Sequence, residues 1–245
     1  MTAVVLIRPP ADSERLSRTL LDEGFQTRVM PIMTIEAIPA VERTVAPSLS
    51  DDSLCIFISA NAVRFGLPQL GPELVRCPDL TVIAVGNKTR DTLEAEGIQA
   101  QVPVQADSEG LLAMPELSAP DSRDVVIVKG EGGRKLLASE LTRRGACVTE
   151  WACYRRFWPA VDLSGLADTS AGLIFQASSG EMLSRLTDLL AGEGQADLFQ
   201  SPIIVPSDRV ASLATKAGWT QVIRAEDASD DAFMRALKQH KVRYR

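Results

Sequence analysis

Short apolar runs rich in β-branched residues alternate along this chain with stretches whose apolar positions recur every three to four residues. The runs "AVVLI", "TRVMPI", "SLCIFIS", "LTVIAVG", "DVVIVKG", "ACVTEWACY", "AGLIFQA" and "PIIVPS" read as strands. Helical periodicity marks Ser13–Glu23, Lys88–Glu96, Glu109–Met114, Lys135–Arg144, Gly180–Ala191 and Asp208–Ala217. The apolar runs do not alternate with polar residues, which predicts parallel sheet covered by helices on both faces. Gly24, Gly97, Gly145 and Gly218 follow four of the helical stretches, as helix stops do. The class is α/β.

The pattern also repeats. "VVLIRPPADSERLSRTLLDEG" overlays "VVIVKGEGGRKLLASELTRRG" without a gap, placing Arg8 on Lys129 and Gly24 on Gly145, both at an offset of 121. "AVGNKTRDTLEAEG" falls on "IVPSDRVASLATKAG" with one inserted residue, and "DSEGLL" on "SDDAFM". "CIFISANAV" resembles "LIFQASSGE". Such self-similarity predicts two related α/β domains. They could lie in tandem, divided near Pro120, or exchange their first β-α-β units so that residues 1 to about 36 join the C-terminal part. In the second case the extended stretches Ile32–Ala40 and Cys153–Val161 would bridge the lobes. The residues alone leave both arrangements open.

At 245 residues, 45% of them apolar, the chain has ample material for two cores. No apolar run approaches a membrane span, and "MTAVVLIRPP" lacks a basic leader and a cleavage site. A cytoplasmic protein without a membrane partner is expected. A net charge of −6 argues against nucleic acid, so any anionic ligand needs a local cluster. Cys55, Cys77, Cys147 and Cys153 form no CxxC pair and read as free, buried thiols. The single histidine, His240, sits in the basic tail "KQHKVRYR" and reads as a solvated helix-end residue, which leaves no zinc set and no base for a serine triad.

Candidate chemistry gathers where strands give way to helices, the ligand-binding edge of a doubly wound sheet. The residues there are Arg8-Pro9-Pro10, Ser59-Ala60-Asn61, Gly86-Asn87-Lys88-Thr89, the run Lys129-Gly130-Glu131-Gly132-Gly133-Arg134, Ala177-Ser178-Ser179-Gly180 and Ser207-Asp208-Arg209. Small hydroxyl and glycine residues leave backbone N–H groups open to an anion, although Ser, Asn and Asp also cap helices that bind nothing. GxGxxG fails at Lys135, GxxxxGK[ST] is absent, and Arg8-Pro9-Pro10 stands where a phosphoacceptor domain would carry an acidic pair. In "WACYRRFW", four of the twelve aromatics fall within eight residues. Strand alternation puts Tyr154 and Trp158 on one face and Trp151, Cys153 and Phe157 on the other. Trp151, Phe157 and Trp158 suit a hinge strand, whereas a phenol at a cleft edge can donate a proton.

Taken together, "RP" after the first strand, "FISANAV", "VGNKT", "DSEGLL", "VKGEGGRKLL", "RGACVTEWACYRR", "SDRVASLATKAGW" and "ASDDAFMRAL" resemble the uroporphyrinogen-III synthase family over nearly the whole chain. The resemblance implies two doubly wound, flavodoxin-like parallel-sheet lobes joined by a two-stranded linker. One lobe would comprise 1–36 plus 158–245 and the other 37–157, with linker strands at 32–40 and 153–161. It implies a hydro-lyase that cyclises hydroxymethylbilane, a linear tetrapyrrole carrying eight carboxylates, and inverts its last ring. No cofactor and no metal are called for, and a monomer is expected. Tyr154 matches the family's tyrosine and is the expected donor to the leaving hydroxyl. Arg8, Ser59, Asn61, Gly86, Thr89, Lys129, Gly130, Arg134, Ser178, Ser179, Ser207 and Arg209 are the expected substrate-binding positions, with Asn87 and Lys88 in a more variable part of their loop. Many relatives carry a hydroxyl near the place of Arg209, so the direction of that contact stays open. A non-catalytic two-lobed binder of a small polycarboxylate is the rival reading, separated by whether the protein changes the isomer formed.

Overall fold

The structure, a computed structural model, describes residues 2–39, 41–42, 44–120, 122–133, 135–167 and 172–243. The chain opens with β1 (Ala3–Leu6), α1 (Pro10–Asp22), β2 (Gln26–Val29) and β3 (Thr34–Ala37). It continues through β4 (Leu54–Phe57), α2 (Ala60–Arg76), β5 (Thr81–Ala84), α3 (Asn87–Glu94), α4 (Ser108–Leu112) and α5 (Pro115–Ser118). Next come β6 (Asp124–Gly130), α6 (Leu136–Arg143), β7 (Cys147–Phe157), α7 (Ser164–Ala167), β8 (Leu173–Gln176) and α8 (Gly180–Gly192). A 3-10 turn at Ala196–Gln200 leads to β9 (Pro202–Val205), α9 (Asp208–Lys216), β10 (Gln221–Arg224) and α10 (Asp230–Arg243). All six helices read from periodicity form, and the four glycines after them have φ of 77°, 80°, 92° and 100°, the left-handed region that ends a helix without a Cβ clash.

The chain divides into two compact units, Met1–Thr34 with Phe157–Arg245, and Ile35–Arg156. The first holds a five-stranded sheet in the order β10-β9-β8-β1-β2, with every pair parallel. Numbered within the unit this is 2-1-3-4-5, the flavodoxin-like doubly wound order. Val4, Leu6, Ile174 and Ile204 meet Leu16 and Leu20 of α1 and Phe233 and Leu237 of α10 on one face. Phe175 and Phe199 pack on Trp219, at ring centroid distances of 5.4 and 5.1 Å.

The second unit holds the order β3-β7-β6-β4-β5, with β7-β6-β4-β5 parallel throughout. An isolated parallel bridge from Ile83 to Gln101 extends the sheet beyond β5. If β6 and β7 are taken as first and second strands and β4 and β5 as third and fourth, this is the same winding as in the first unit. One face carries α2 and α3 over Cys55, Phe57, Val126, Val128 and Trp151. The other carries α4, α5 and α6 over Leu54, Ile56, Val125 and Ile127.

The register refines the internal overlay. Leu54 pairs with Val125 and Ile174 with Val4, so Leu54 is the counterpart of Ile174 and the side-by-side reading of "CIFISANAV" and "LIFQASSGE" is two residues out. Two short apolar runs of similar composition slide past each other easily in a sequence; pairing with the central strand fixes them. In the corrected register Ser59 matches Ser179, and each caps the helix that follows. The second overlay needs no insertion, because Val82 and Ile203 take equivalent places beside Cys55 and Phe175.

Candidate active site

In each unit the strand order reverses beside the central strand, between β1 and β8 in one and between β6 and β4 in the other, and the crevice beyond the strand ends there is the expected ligand site. In the second unit that position holds Tyr154. The register of β6 and β7 shifts between Lys129 and Gly130, which pair with Ala152 and Tyr154 and leave Cys153 as the extra residue. Such a bulge re-aims the side chains after it. Simple alternation would set Tyr154 opposite Trp151 and Cys153. Instead all three join the cluster under α2, where the Tyr154 ring stacks on Phe65 with centroids 5.8 Å apart and planes 30° apart.

The Tyr154 hydroxyl lies 3.0 Å from Ser59 Oγ. Ser59 has extended backbone angles ahead of α2, and its Oγ also accepts the Ala62 N–H at 3.0 Å. A Cβ added to Gly130 would lie 2.6 Å from Tyr154 Cε2 and Cζ. The Glu131 N–H donates to the Tyr154 carbonyl at 2.8 Å. Asn61 follows in the first turn of α2, half-buried. Gly86 occupies the cap position of α3, where a Cβ would meet Ala106 Cβ at 2.8 Å, and Thr89 is buried in the first turn. Lys129 is buried as well, its Nζ bonded to the Glu150 carboxylate of the neighbouring strand. Arg134 lies outside the described residues.

In the first unit the corresponding crevice is a surface recess of about 430 Å³ lined by Arg8, Asp12, Arg15, Ser178, Ser229 and Asp230 among others. Arg8 is buried, with Nη1 on Asp230 Oδ1 at 2.5 Å and Nη2 on the Ala228 carbonyl at 3.1 Å. Arg15 holds the other oxygen of Asp230 and also Asp12, bonds that raise its pKa above the usual arginine value. Hydrogen bonds from the Ser229 side chain and backbone lower the Asp227 carboxyl below its ordinary value. Ser179 accepts from Met182 N at 3.2 Å and Ser207 from Val210 N at 3.4 Å, capping α8 and α9. Arg209 is exposed in the first turn of α9. The two cations that the internal repeat matches, Arg8 and Lys129, are therefore both buried against an acid.

Sequence reading did not single out Phe65, Glu150 or Asp230. The signal for Asp230 was present in the overlay of "SDDAFM" on "DSEGLL", since that overlay already put an acid just inside a helix start. Phe65 and Glu150 touch their partners through pairings far apart in sequence and carry no local mark. His240 is half-buried in α10, not a solvated end, and Cys147 is exposed while Cys55 and Cys153 are buried. Among the described residues no group of His, Cys, Asp and Glu is disposed to hold a metal ion, and no helix is long and apolar enough to cross a membrane.

A family model described as Uroporphyrinogen-III synthase HemD matches residues 14–235 and so runs through both units. The chain belongs to the uroporphyrinogen-III synthase family. Proteins named uroporphyrinogen-III synthase from Salmonella typhimurium and Escherichia coli are each 30% identical to it, with 96% of this chain and 100% of each relative covered. Among solved structures, uroporphyrinogen-III synthetase from Helicobacter pylori is similar in fold, with a TM-score of 0.62 at 15% identity over 98% of this chain and 99% of that one. A mutant uroporphyrinogen III synthase from Thermus thermophilus gives 0.56 at 18% identity over 98% and 100%. The synthase family thus accounts for the α/β architecture found here from one end of the chain to the other.

Proposed function

We propose that this protein cyclises hydroxymethylbilane to uroporphyrinogen III, with loss of water and inversion of ring D. The observation that carries the reading is the family match across residues 14–235, which runs through both units. The chemistry then assigns the roles. Hydroxide leaves the ring A carbon as water once protonated, giving an azafulvenium cation. The substituted α-carbon of ring D attacks it to form a spiro intermediate, which fragments and closes with ring D reversed. Because the bilane closes unaided to the unrotated isomer, the protein has chiefly to impose a geometry, a task of positioning and electrostatic stabilisation.

In this reading Tyr154 is the donor to the leaving hydroxyl. Ser179 and Ser207 spend an acceptor lone pair on their helix caps, which leaves each O–H free to donate to a substrate carboxylate at a helix N-terminus. Ser178, Asn61, Thr89 and the N–H group at Gly86 complete the set, with Arg209 and Arg134 as cations. Arg8 and Lys129, each already bonded to an acid, act on the substrate by fixing their loops. Residues 32–40 and 153–161 are proposed as the linker, in a monomeric cytoplasmic enzyme working without a cofactor.

The test is the rate of bilane consumption by the protein and by Tyr154→Phe. Loss of the donor should lower the rate about tenfold or more, toward the roughly hundredfold that an acid catalyst usually contributes, with the circular dichroism spectrum unchanged. An unaltered rate would remove Tyr154 from the mechanism.

A further inference from the structure

We infer that Ser59 and Gly130 are positioning residues that aim the Tyr154 hydroxyl: one by holding its oxygen, the other by having no side chain. The inference rests on the proposed activity and goes beyond it in taking Ser59 and Gly130 out of carboxylate binding.

Ser59 Oγ stands 3.0 Å from both the Ala62 nitrogen and the Tyr154 hydroxyl. The amide can only donate, so the cap uses one lone pair of Oγ and leaves a second lone pair and the proton; in the proposed arrangement the proton goes to the phenol oxygen. With Ser59 donating, the phenol proton is free to turn toward the leaving group. When the Tyr154 O–H bond breaks, that proton forms a new O–H bond on the departing hydroxyl, the C–O electron pair leaves with the water, and the phenolate stays hydrogen-bonded to Ser59. The proton later released from the unsubstituted α-carbon of ring D, as it forms the bond that closes the macrocycle, restores the phenol. No other reactant is required.

Gly130 sets the position of the ring. The ring stacks on Phe65 and lies so close to the Gly130 backbone that a Cβ at 130 would reach 2.6 Å from two ring carbons and 3.0 Å from the hydroxyl oxygen. Gly130 is not among the positive-φ glycines, so the requirement is for space and not for backbone freedom. The other unit supplies a control within the molecule. There Ser179 makes the same cap, yet at the 121-residue offset Pro9 replaces Gly130 and Met33 replaces Tyr154. A serine cap is therefore common to both crevices, while the open glycine and the phenol occur together in one.

A double-mutant cycle decides the matter, with kcat and KM for type III product measured for the intact protein, Ser59→Ala, Tyr154→Phe and the double variant. Ser59→Ala should lower kcat about tenfold with KM changed less than about twofold, and should cost nothing further once Tyr154 is Phe. Ser59→Thr should recover kcat to within about threefold, since it keeps both the cap and the hydroxyl. Ser59→Asp keeps a cap acceptor but has no proton to give, so it should show the kcat loss even where Ala weakens the fold. Gly130→Ala should lower kcat with the melting temperature nearly kept, because the far end of a side chain can swing aside, and should add nothing to Tyr154→Phe. A raised KM at unchanged kcat for Ser59→Ala, additive with Tyr154→Phe, would overturn the inference and make Ser59 a direct substrate contact. That result would leave the synthase activity standing, whereas failure of the intact protein to form type III product would overturn both.

Discussion

At Gly66, α2 crosses the sheet so closely that a Cβ would lie 2.7 Å from Val128 Cγ1, 3.2 Å from Trp151 Cζ3 and 3.3 Å from Cys153 Sγ. An alanine there gains about 1 kcal/mol of helix propensity but forces a β-branched neighbour and a buried indole to move, at a cost of roughly 1–3 kcal/mol. Gly66→Ala is expected to lower the urea midpoint of unfolding; an increase would mean that α2 can lift without loss. The Trp151 indole that limits the movement is itself tied down, its Nε1 donating to the Thr44 carbonyl at 3.2 Å. The thiols give a second expectation at this scale. Cys55 is enclosed in the same cluster and burial pushes its pKa up to about 12, so it has almost no thiolate at neutral pH. Mass spectrometry after brief alkylation of the native protein should show Cys147 modified first and Cys55 and Cys153 untouched until the protein is unfolded. Labelling of Cys55 at the rate of Cys147 would contradict the packing described. Free thiols were legible from the missing CxxC spacing; the exposure of Cys147 was not, because it lies at the start of β7, where an apolar run says little about which face is covered.

Among the elements, α2 was the hardest to foresee. Its buried stripe Ala62, Val63, Gly66 and Leu70 has helical spacing, but Pro68 and Pro72 lie inside it and would ordinarily end a helix. Burial of that stripe against the sheet outweighs the missing amide bonds, and the Gln69 side chain donates to the Phe65 carbonyl at 3.2 Å. The last strand, β10, is four residues long with two exposed ends, too brief for a period to show. By contrast α6 was plain from its apolar spacing, and its end carries a charge cluster with a testable consequence. Hydrogen bonds from Arg143 and then Arg144 lower the Glu140 carboxyl from its ordinary pKa of 4.5 to about 2. A carboxylate whose pKa is lowered by folding adds stability above its unfolded pKa and loses it as pH falls through the folded one. The contribution should therefore disappear between about pH 4.5 and 2, and Glu140→Gln should flatten the acid limb of the stability profile in that window. Because Arg143 is exposed and Glu140 only half-buried, added salt should shrink the difference. A carboxyl resonance titrating at the ordinary value would show that the cluster does not persist in solution.

At the scale of the whole molecule, the overlay at offset 121 made the duplication readable from residues alone. What it could not supply was the partition of the chain. In the structure, β1, α1 and β2 from the first copy complete the sheet begun by β8, while β6, α6 and β7 from the second copy complete the sheet begun by β4. Each sheet is thus wound alike from parts of both copies. Local periodicity is identical for tandem and exchanged arrangements, since only strand pairing distinguishes them, and pairing between β1 and β8 spans most of the chain. The site was legible to the same extent. Ser59, Gly130 and Tyr154 could be named from their motifs, but their convergence depends on the bulge opposite Gly130, which leaves no local signature. The cations were readable as residues and not as ion pairs, because Asp230 lies far along the chain from Arg8 and Glu150 on a neighbouring strand from Lys129.

The central claim is that this protein directs the closure of a linear tetrapyrrole, and product isomer analysis tests it most directly. Fresh hydroxymethylbilane would be incubated with and without the protein, and the products oxidised and separated by chromatography. Formation of mainly the type III isomer is the predicted result. Type I alone, at the rate seen without protein, would contradict the account and leave a two-unit α/β binder of a polycarboxylate.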